Sequence, residues 1–407
     1  MDATRVLEAP PEARTAVVER IEDPCAFDGL RAKWNELLEA SPSKSLFLTW
    51  EWLSTWWKHL ADGRRLCILV VHAAGELIAI APLTWRPRRL GHLLSVRSLE
   101  FLGTGSVGSD YLDLIVRRGR AAEAVRALAA YLADGTDVIG LAQVEADASD
   151  AGRLAAELGR RGWSVLSEAT SVCPFIGLAG RSWESYLDSL GPAHRYNFRR
   201  RLRGLSRLGH VRLERVQTEA QRRDALCELV GLHHMRWRLR GGSSAFYDVA
   251  LVAFHEEFSR LALERGWLRL FTLRLDGKAI ASVYGFRYGD KFYFYQSGFD
   301  PGYARQSVGL VALGLTIKAA LEEGAMEYDL LHGDEEYKFL WAHQTRELRR
   351  LDLFPSHVRG WLYQQAIEAS RAARRAVRCV LPATVVQRIG AGRRSENHAG
   401  HHAAGAP

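Results

Sequence analysis

The stretch from Trp267 to Trp341 constrains the fold most. Residues 267–275, 278–288 and 291–296 alternate apolar and polar side chains, and only Asp276-Gly277 and Gly289-Asp290 separate them. Two-residue turns of this kind tie successive strands into an antiparallel meander. A polar loop, Arg305-Gln-Ser-Val-Gly309, then opens a long apolar-periodic run that reads as a helix. A short strand comes next and runs into the polar cluster Tyr328-Asp-Leu-Leu-His-Gly-Asp-Glu-Glu-Tyr-Lys338.

Part of this plan occurs twice. Gly75-Glu-Leu-Ile-Ala-Ile and Gly277-Lys-Ala-Ile-Ala-Ser each lead from a glycine turn into a strand, and each comes after an apolar strand. Their common offset predicts a tandem duplication, with residues 66–85 and 269–286 in equivalent sheet positions. The expected organisation is a polar N-terminus over 1–16, a first α/β unit over 17–180 and a second, catalytic unit over 181–355. A C-terminal helix over 356–390 and a disordered tail over 391–407 complete it. In the first unit, Trp50, Leu53 and Trp57 are expected on one helical face.

The totals fit a globular protein, with 47% hydrophobic and 25% charged residues. No apolar run is long enough to span a bilayer, and the N-terminus lacks the apolar core of a signal peptide. Five scattered cysteines show neither zinc spacing nor a disulfide framework, which suits a reducing, cytoplasmic setting. Arginine outnumbers lysine 48 to 7, a skew that reads as compositional. Residues 194–223 nevertheless hold ten arginines and two acids, so an anionic partner is expected there.

Several segments together resemble the CelD-like or BioF2-like acyltransferases of the GNAT superfamily, relatives of the FemAB-type aminoacyltransferases. They are Phe47-Leu-Thr-Trp-Glu-Trp, His194-Arg-Tyr-Asn-Phe-Arg-Arg-Arg-Leu, His234-Met-Arg-Trp, Tyr295-Gln-Ser-Gly-Phe-Asp, Ser307-Val-Gly-Leu and the 328–338 cluster. The resemblance implies an α/β (α+β) fold of tandem GNAT-like domains, each a mixed, mostly antiparallel sheet flanked by helices. It also implies an acetyl-CoA or other acyl-CoA donor, no metal, and a small or sugar-linked amine acceptor from surface polysaccharide synthesis.

Gln306-Ser-Val-Gly309-Leu-Val311 is similar to the family's pyrophosphate loop, with Val311 where a smaller residue is usual. A helix N-terminus offers unpaired N–H groups to phosphate, and glycine allows close approach. Gln296, Arg305, Gln306, Ser307 and Gly309 are therefore the expected donor-binding residues. Asp329, Glu335 and His332 are candidate general bases, Tyr337 a proton donor to the leaving thiolate, and Lys338 a charge stabiliser. Arg195 and Arg199, on one basic stripe with Arg203, and His234 with Arg236 are the expected acceptor-binding residues. The adjacent pair His233-His234 lacks a third ligand, so no metal site is expected. Gly103-Thr-Gly-Ser-Val-Gly108 fits a dinucleotide motif literally, but no helix comes after it, so it reads as a flexible loop. Two other readings remain open: aminoacyl transfer from tRNA in cell-wall synthesis, and RNA binding on a non-catalytic scaffold.

Overall fold

The computed structural model describes residues 16–90, 94–135, 137–238, 246 and 248–380. The expectations for 1–15 and for 381–407 lie outside the described residues.

The first half opens with β1 (Val17–Ile21), then α1 (Pro24–Gly29), α2 (Arg31–Ala40) and α3 (Trp50–Leu60). Four strands come next: β2 (Arg65–Ala73), β3 (Glu76–Leu90), β4 (Leu94–Phe101) and the two-residue β5 (Ile115–Val116). Then come α4 (Ala121–Ala133), β6 (Val138–Glu145), α5 (Asp150–Arg160) and β7 (Ser164–Gly177). Helices α6 (Trp183–Ser189) and α7 (Pro192–Ser206) lead into the second half. That half contains β8 (Val211–Arg215), α8 (Glu219–Arg238), α9 (Val249–Glu264), β9 (Leu268–Leu275), β10 (Lys278–Tyr288) and β11 (Lys291–Phe299). It continues with α10 (Val308–Glu322), β12 (Glu327–Asp329), α11 (Glu336–Phe339) and β13 (Gln344–Phe354), followed by α12 (Val358–Val380).

Among the described residues all thirteen strands lie in one sheet, ordered β1-β2-β3-β4-β6-β13-β7-β12-β11-β10-β9-β8, with β5 beside β3. This order reads the same from both ends when each first-half strand is matched to its second-half counterpart. The hairpins β2–β3 and β9–β10 occupy the second and third places from opposite edges. Both turn through two residues of positive φ, Ala74-Gly75 and Asp276-Gly277, as the right-handed twist of a hairpin requires. The last strand of each half is exchanged: β13 lies between β6 and β7, and β7 between β13 and β12. The tandem sheets are thus continuous, joined by the long antiparallel β7–β13 pair.

Helices cover both faces. One core joins the first half to α9 and to the Tyr284–Phe286–Tyr293 face of the meander. The other lies under α6, α7 and α10. Trp52, fully buried, stands edge-on to Phe254 and Phe258 of α9 at 4.9 and 4.6 Å and so packs the halves together. The inward stripe of α3 runs through Trp52, Leu53 and Trp56, and Trp50 and Trp57, on the same face as Leu53, are half-buried at its flank. No helix among the described residues is long and apolar enough to cross a membrane.

Candidate active site

Strands β11 and β12 run parallel but pair only from Lys291–Glu327 to Tyr293–Asp329. The cause is the exchanged strand. Beyond Asp329 the chain tracks β7: Leu330 N donates to Pro174 O at 2.9 Å, and Gly333 N to Val172 O at 3.0 Å. Among the described residues, the β11 backbone after Tyr293 thus has no strand partner on that side. Tyr284 pairs with Gln296 and Gly285 with Phe294, so Tyr295 is an extra residue, a bulge that re-aims the rest of the strand. Strict alternation would put Gln296 on the face of Phe292 and Phe294. The bulge turns it to the opposite face, beside Tyr284.

Two adjoining cavities open at this splay. The first, about 350 Å³, is mainly apolar and lies between β10, β11, α10 and α11. Ser307 and Gly309 line it, whereas Arg305 and Gln306 do not. Ser307 has φ 53° and makes no side-chain cap, which leaves the first N–H groups of α10 for another acceptor. Val311, fully buried in the core beneath α10, does not face this cleft. A Cβ built on Gly309 would stand 3.3 Å from the Phe299 ring.

The second cavity, about 230 Å³, is polar. Its wall includes His233, His255, Gln296, His332, Glu335 and Lys338, together with Ser106, Val107 and Gly108 from the first half. Arg236, Phe294, Ser297 and Tyr337 line both cavities. Arg236 donates to Ser297 Oγ at 3.1 Å and lies over the Phe299 ring. Burial pushes the Tyr337 phenol up to about 12, with the Glu335 charge adding to the effect, so it is a proton donor at neutral pH.

The polar cluster is a tight turn around Lys338. Leu331 has φ 56° and Gly333 φ 132°, and Lys338 Nζ donates to Leu331 O at 3.2 Å and His332 O at 2.6 Å. Glu335 pairs with the same ammonium at 3.0 Å. A Cβ at Gly333 would overlap Glu335 and Lys338, so this position needs glycine. The turn sends the His332 ring towards the first half. There its Nδ1 meets the fully buried Asp110 carboxylate at 2.8 and 2.9 Å, and its backbone N–H donates to Asp110 Oδ2 at 2.9 Å. Gln143 donates to Asp110 Oδ1 at 2.8 Å.

Other sequence candidates lie elsewhere. Asp329 is fully buried and lines neither cavity. It accepts from Tyr111 Oη at 2.7 Å and Leu331 N at 2.8 Å and sits 3.5 Å from Arg346, so it ties the halves together. Burial pushes its carboxyl up to about 7. Arg195 of α7 pairs with Asp188 of α6 at 2.9 Å, and neither Arg195 nor Arg199 lines a cavity of the site. His233, not His234, faces the polar cavity. The loop 103–108 is anchored at Val107, which is buried and whose O accepts from Tyr295 Oη, while Gly105 and Ser106 are exposed. Asp110 carried no motif, because its partner lies 222 residues away. Among the described residues no group of three or more metal-ligating side chains comes together.

His255 is 2% exposed, and burial pulls its imidazole down to about 3. A folded-state value below the ordinary one near 6.5 stabilises the fold above pH 6.5, and that stability is lost as pH falls from 6.5 towards 3. Asp329 acts in the opposite sense, because its raised pKa favours the fold as pH falls from about 7 towards 3.8. The two effects offset each other in the whole protein, so the diagnostic is a difference. Between pH 7 and pH 5, a His255→Phe variant should lose about 2 kcal/mol less stability than the parent in urea melts. Equal losses would show that His255 is protonated in the fold.

Residues 192–339 match the model of an acetyltransferase (GNAT) domain. No curated protein matches the chain. Among solved structures it is similar to FemX, at 15% identity over 85% of this chain and 99% of that one, with a TM-score of 0.58. It is also similar to the C-terminal domain of a protein assigned as lysylphosphatidylglycerol synthetase from Agrobacterium fabrum (12% identity, 86% and 96% covered, TM-score 0.52). A conserved protein of unknown function from Bacteroides thetaiotaomicron aligns at 11% identity over 83% and 100%, with a TM-score of 0.51. At these identities the likeness is one of fold. The match to a GNAT-type acetyltransferase domain over residues 192–339 thus lies within a mixed α/β fold whose two halves share one largely antiparallel sheet.

Proposed function

We propose that the protein is an N-acyltransferase that takes an acyl group from coenzyme A and delivers it to a primary amine, on a small or sugar-linked acceptor. One observation carries this reading: a mainly apolar cleft that starts at the N-terminus of α10 meets a polar cavity where β11 and β12 part. The uncapped first turn of α10 and the bare Gly309 fit a pyrophosphate. The cleft suits a pantetheine arm, and the unpaired β11 backbone suits a thioester carbonyl whose oxygen gains charge during attack. The polar cavity suits the amine. Attack forms the amide C–N bond, the C–S bond breaks, and the Tyr337 phenol, which lines both cavities, protonates the departing thiolate.

Calorimetry with CoA and acetyl-CoA tests the donor. Gly309→Val should weaken binding by about tenfold or more, because its branched Cβ would crowd Phe299 and the phosphate path. Unchanged affinity in a folded variant would remove the cleft as donor site. Thioester cleavage measured with a panel of amines (glucosamine, ethanolamine, lysine and putrescine) tests the reaction. Salt-sensitive retention of tRNA without CoA binding would favour the aminoacyl-tRNA donor instead.

A further inference from the structure

We propose that His332 is the general base of this transfer and that Asp110, contributed by the first half, is the residue that positions it. The inference rests on the acyltransferase reading and assigns it a proton acceptor.

The geometry narrows the choice. The acceptor cavity presents Glu335, Lys338, His233, His255 and His332. Glu335 is engaged with the Lys338 ammonium at 3.0 Å. Lys338 itself is bound to two backbone carbonyls, and a cationic ammonium takes no proton. His233 and His255 are both buried and pulled down, to about 4 and about 3, mainly by desolvation, which makes them weak bases. His332 differs on each point. Its side chain is 44% exposed, it lines the cavity, and one ring nitrogen is anchored to a carboxylate.

A carboxylate only accepts hydrogen bonds, so Nδ1 carries the hydrogen and Nε2 keeps its lone pair. Asp110 is held in turn by the His332 backbone N–H and the Gln143 amide, which fix its plane. Gly108 leaves room for the ring: a Cβ there would stand 3.6 Å from His332 Cε1. The hydrogen bond from His332 raises the imidazole pKa above 6.5 against the opposing effect of burial, so Nε2 is a stronger base than a free imidazole. Charged groups facing the ring are Asp110 from the first half and Lys338 and Glu335 from its own turn, the first and last raising its pKa and the second lowering it. In the reaction the amine nitrogen bonds to the thioester carbon, and Nε2 takes the proton that this nitrogen gives up. The C–S bond breaks, the thiolate is protonated by Tyr337, and solvent later restores both side chains to their starting states. The products are an amide and free CoA thiol.

The test uses the full chain, acetyl-CoA and the best amine acceptor of the panel. His332→Gln should lower kcat/KM by about 10²–10⁴-fold, leave CoA affinity within twofold, and abolish the acid limb of the pH profile. Asp110→Asn should do more than weaken a contact. Its oxygen must accept the His332 backbone N–H, which turns its NH₂ towards Nδ1 and reverses the tautomer. Turnover should fall by a similar factor, with the remaining acid limb displaced to lower pH. A structural role alone would not move that limb. Nitrogen-15 NMR of labelled histidine supplies a readout without turnover: one imidazole with hydrogen at Nδ1 and a pKa above 6.5, absent in His332→Gln and lowered in Asp110→Asn. Variants that keep the acid limb and lose less than threefold in kcat/KM would overturn the assignment and leave the transferase reading intact. Wild-type protein that cleaves no thioester with any amine would overturn the transferase reading itself, and the base assignment with it.

Discussion

Gly298→Ala should destabilise the protein by about 3 kcal/mol and weaken CoA binding together, although it adds one methyl group. Gly298 lies on β11 where that strand crosses α8. A Cβ built there would be 2.5 Å from His233 N, 2.8 Å from Leu232 C and 2.9 Å from Leu232 Cβ. Two of these are backbone atoms inside a helix, so no rotamer change can relieve the overlap. Helix α8 must move away from the sheet, and it carries His233 into the polar cavity and Arg236 to the boundary of both. A shift sufficient for normal contact, about 1 Å, misplaces both walls, and displacements of that size are costly in a site. Gly289→Ala is the control. It strains a positive φ of 59° but meets nothing within 4 Å, so it should cost about 1 kcal/mol and leave binding unchanged. A melting temperature for Gly298→Ala within a degree or two of the parent's would show that β11 and α8 are not in backbone contact.

Local pattern made the meander legible. Alternation and two-residue turns are short-range signals, and β9, β10 and β11 form where they point, up to the bulge at Tyr295. The two repeated hairpins were legible for the same reason. The exchange of β7 and β13 was not, because strand partners separated by 169 to 190 residues leave no trace in periodicity. The bulge at Tyr295 was invisible as well, and it moves Gln296 from the expected donor side to the acceptor side. Within the polar cluster, composition identified a neighbourhood but not its roles. Asp329 and His332 stand three residues apart, yet a turn at Leu331 sends one into the joint between halves and the other to the cavity. Asp110 carries no sequence signal of its own, since a lone aspartate in a loop gains meaning only through its contact with His332. The arginines of α7 show the reverse case, a conspicuous sequence feature whose members Arg195 and Arg199 lie outside both cavities.

The exchanged strands predict that neither half folds alone. A chain ending near residue 180 would retain β7 but lose β13, which lies between β7 and β6. Its sheet would then break after β6, and β7 would have no partner on either side, since β12 is also missing. The second half without β7 would lose the link between β12 and β13 in the same way. Buried contacts would be lost too: Trp52 against Phe254 and Phe258, Arg265 on the fully buried Glu51 at 3.0 Å, Tyr288 on Glu39 at 2.8 Å, and Tyr111 on Asp329 at 2.7 Å. Burying an aromatic ring of this size contributes about 3–5 kcal/mol, and removing one partner of a buried charge costs a similar amount. A few such losses exceed the whole stability of a typical domain, about 5–15 kcal/mol. Residues 1–180 and 181–407 expressed separately should therefore lack cooperative thermal transitions. Co-expressed, they should assemble into one complex, and the intact chain should melt in a single transition with equal calorimetric and van't Hoff enthalpies. The site sets a sharper condition. Asp110 and His332 lie on different fragments, so CoA-dependent acyl transfer should appear only when both are present. A fragment that melts cooperatively and transfers acyl groups alone would show that the shared strands are dispensable and that the first half takes no part in the chemistry.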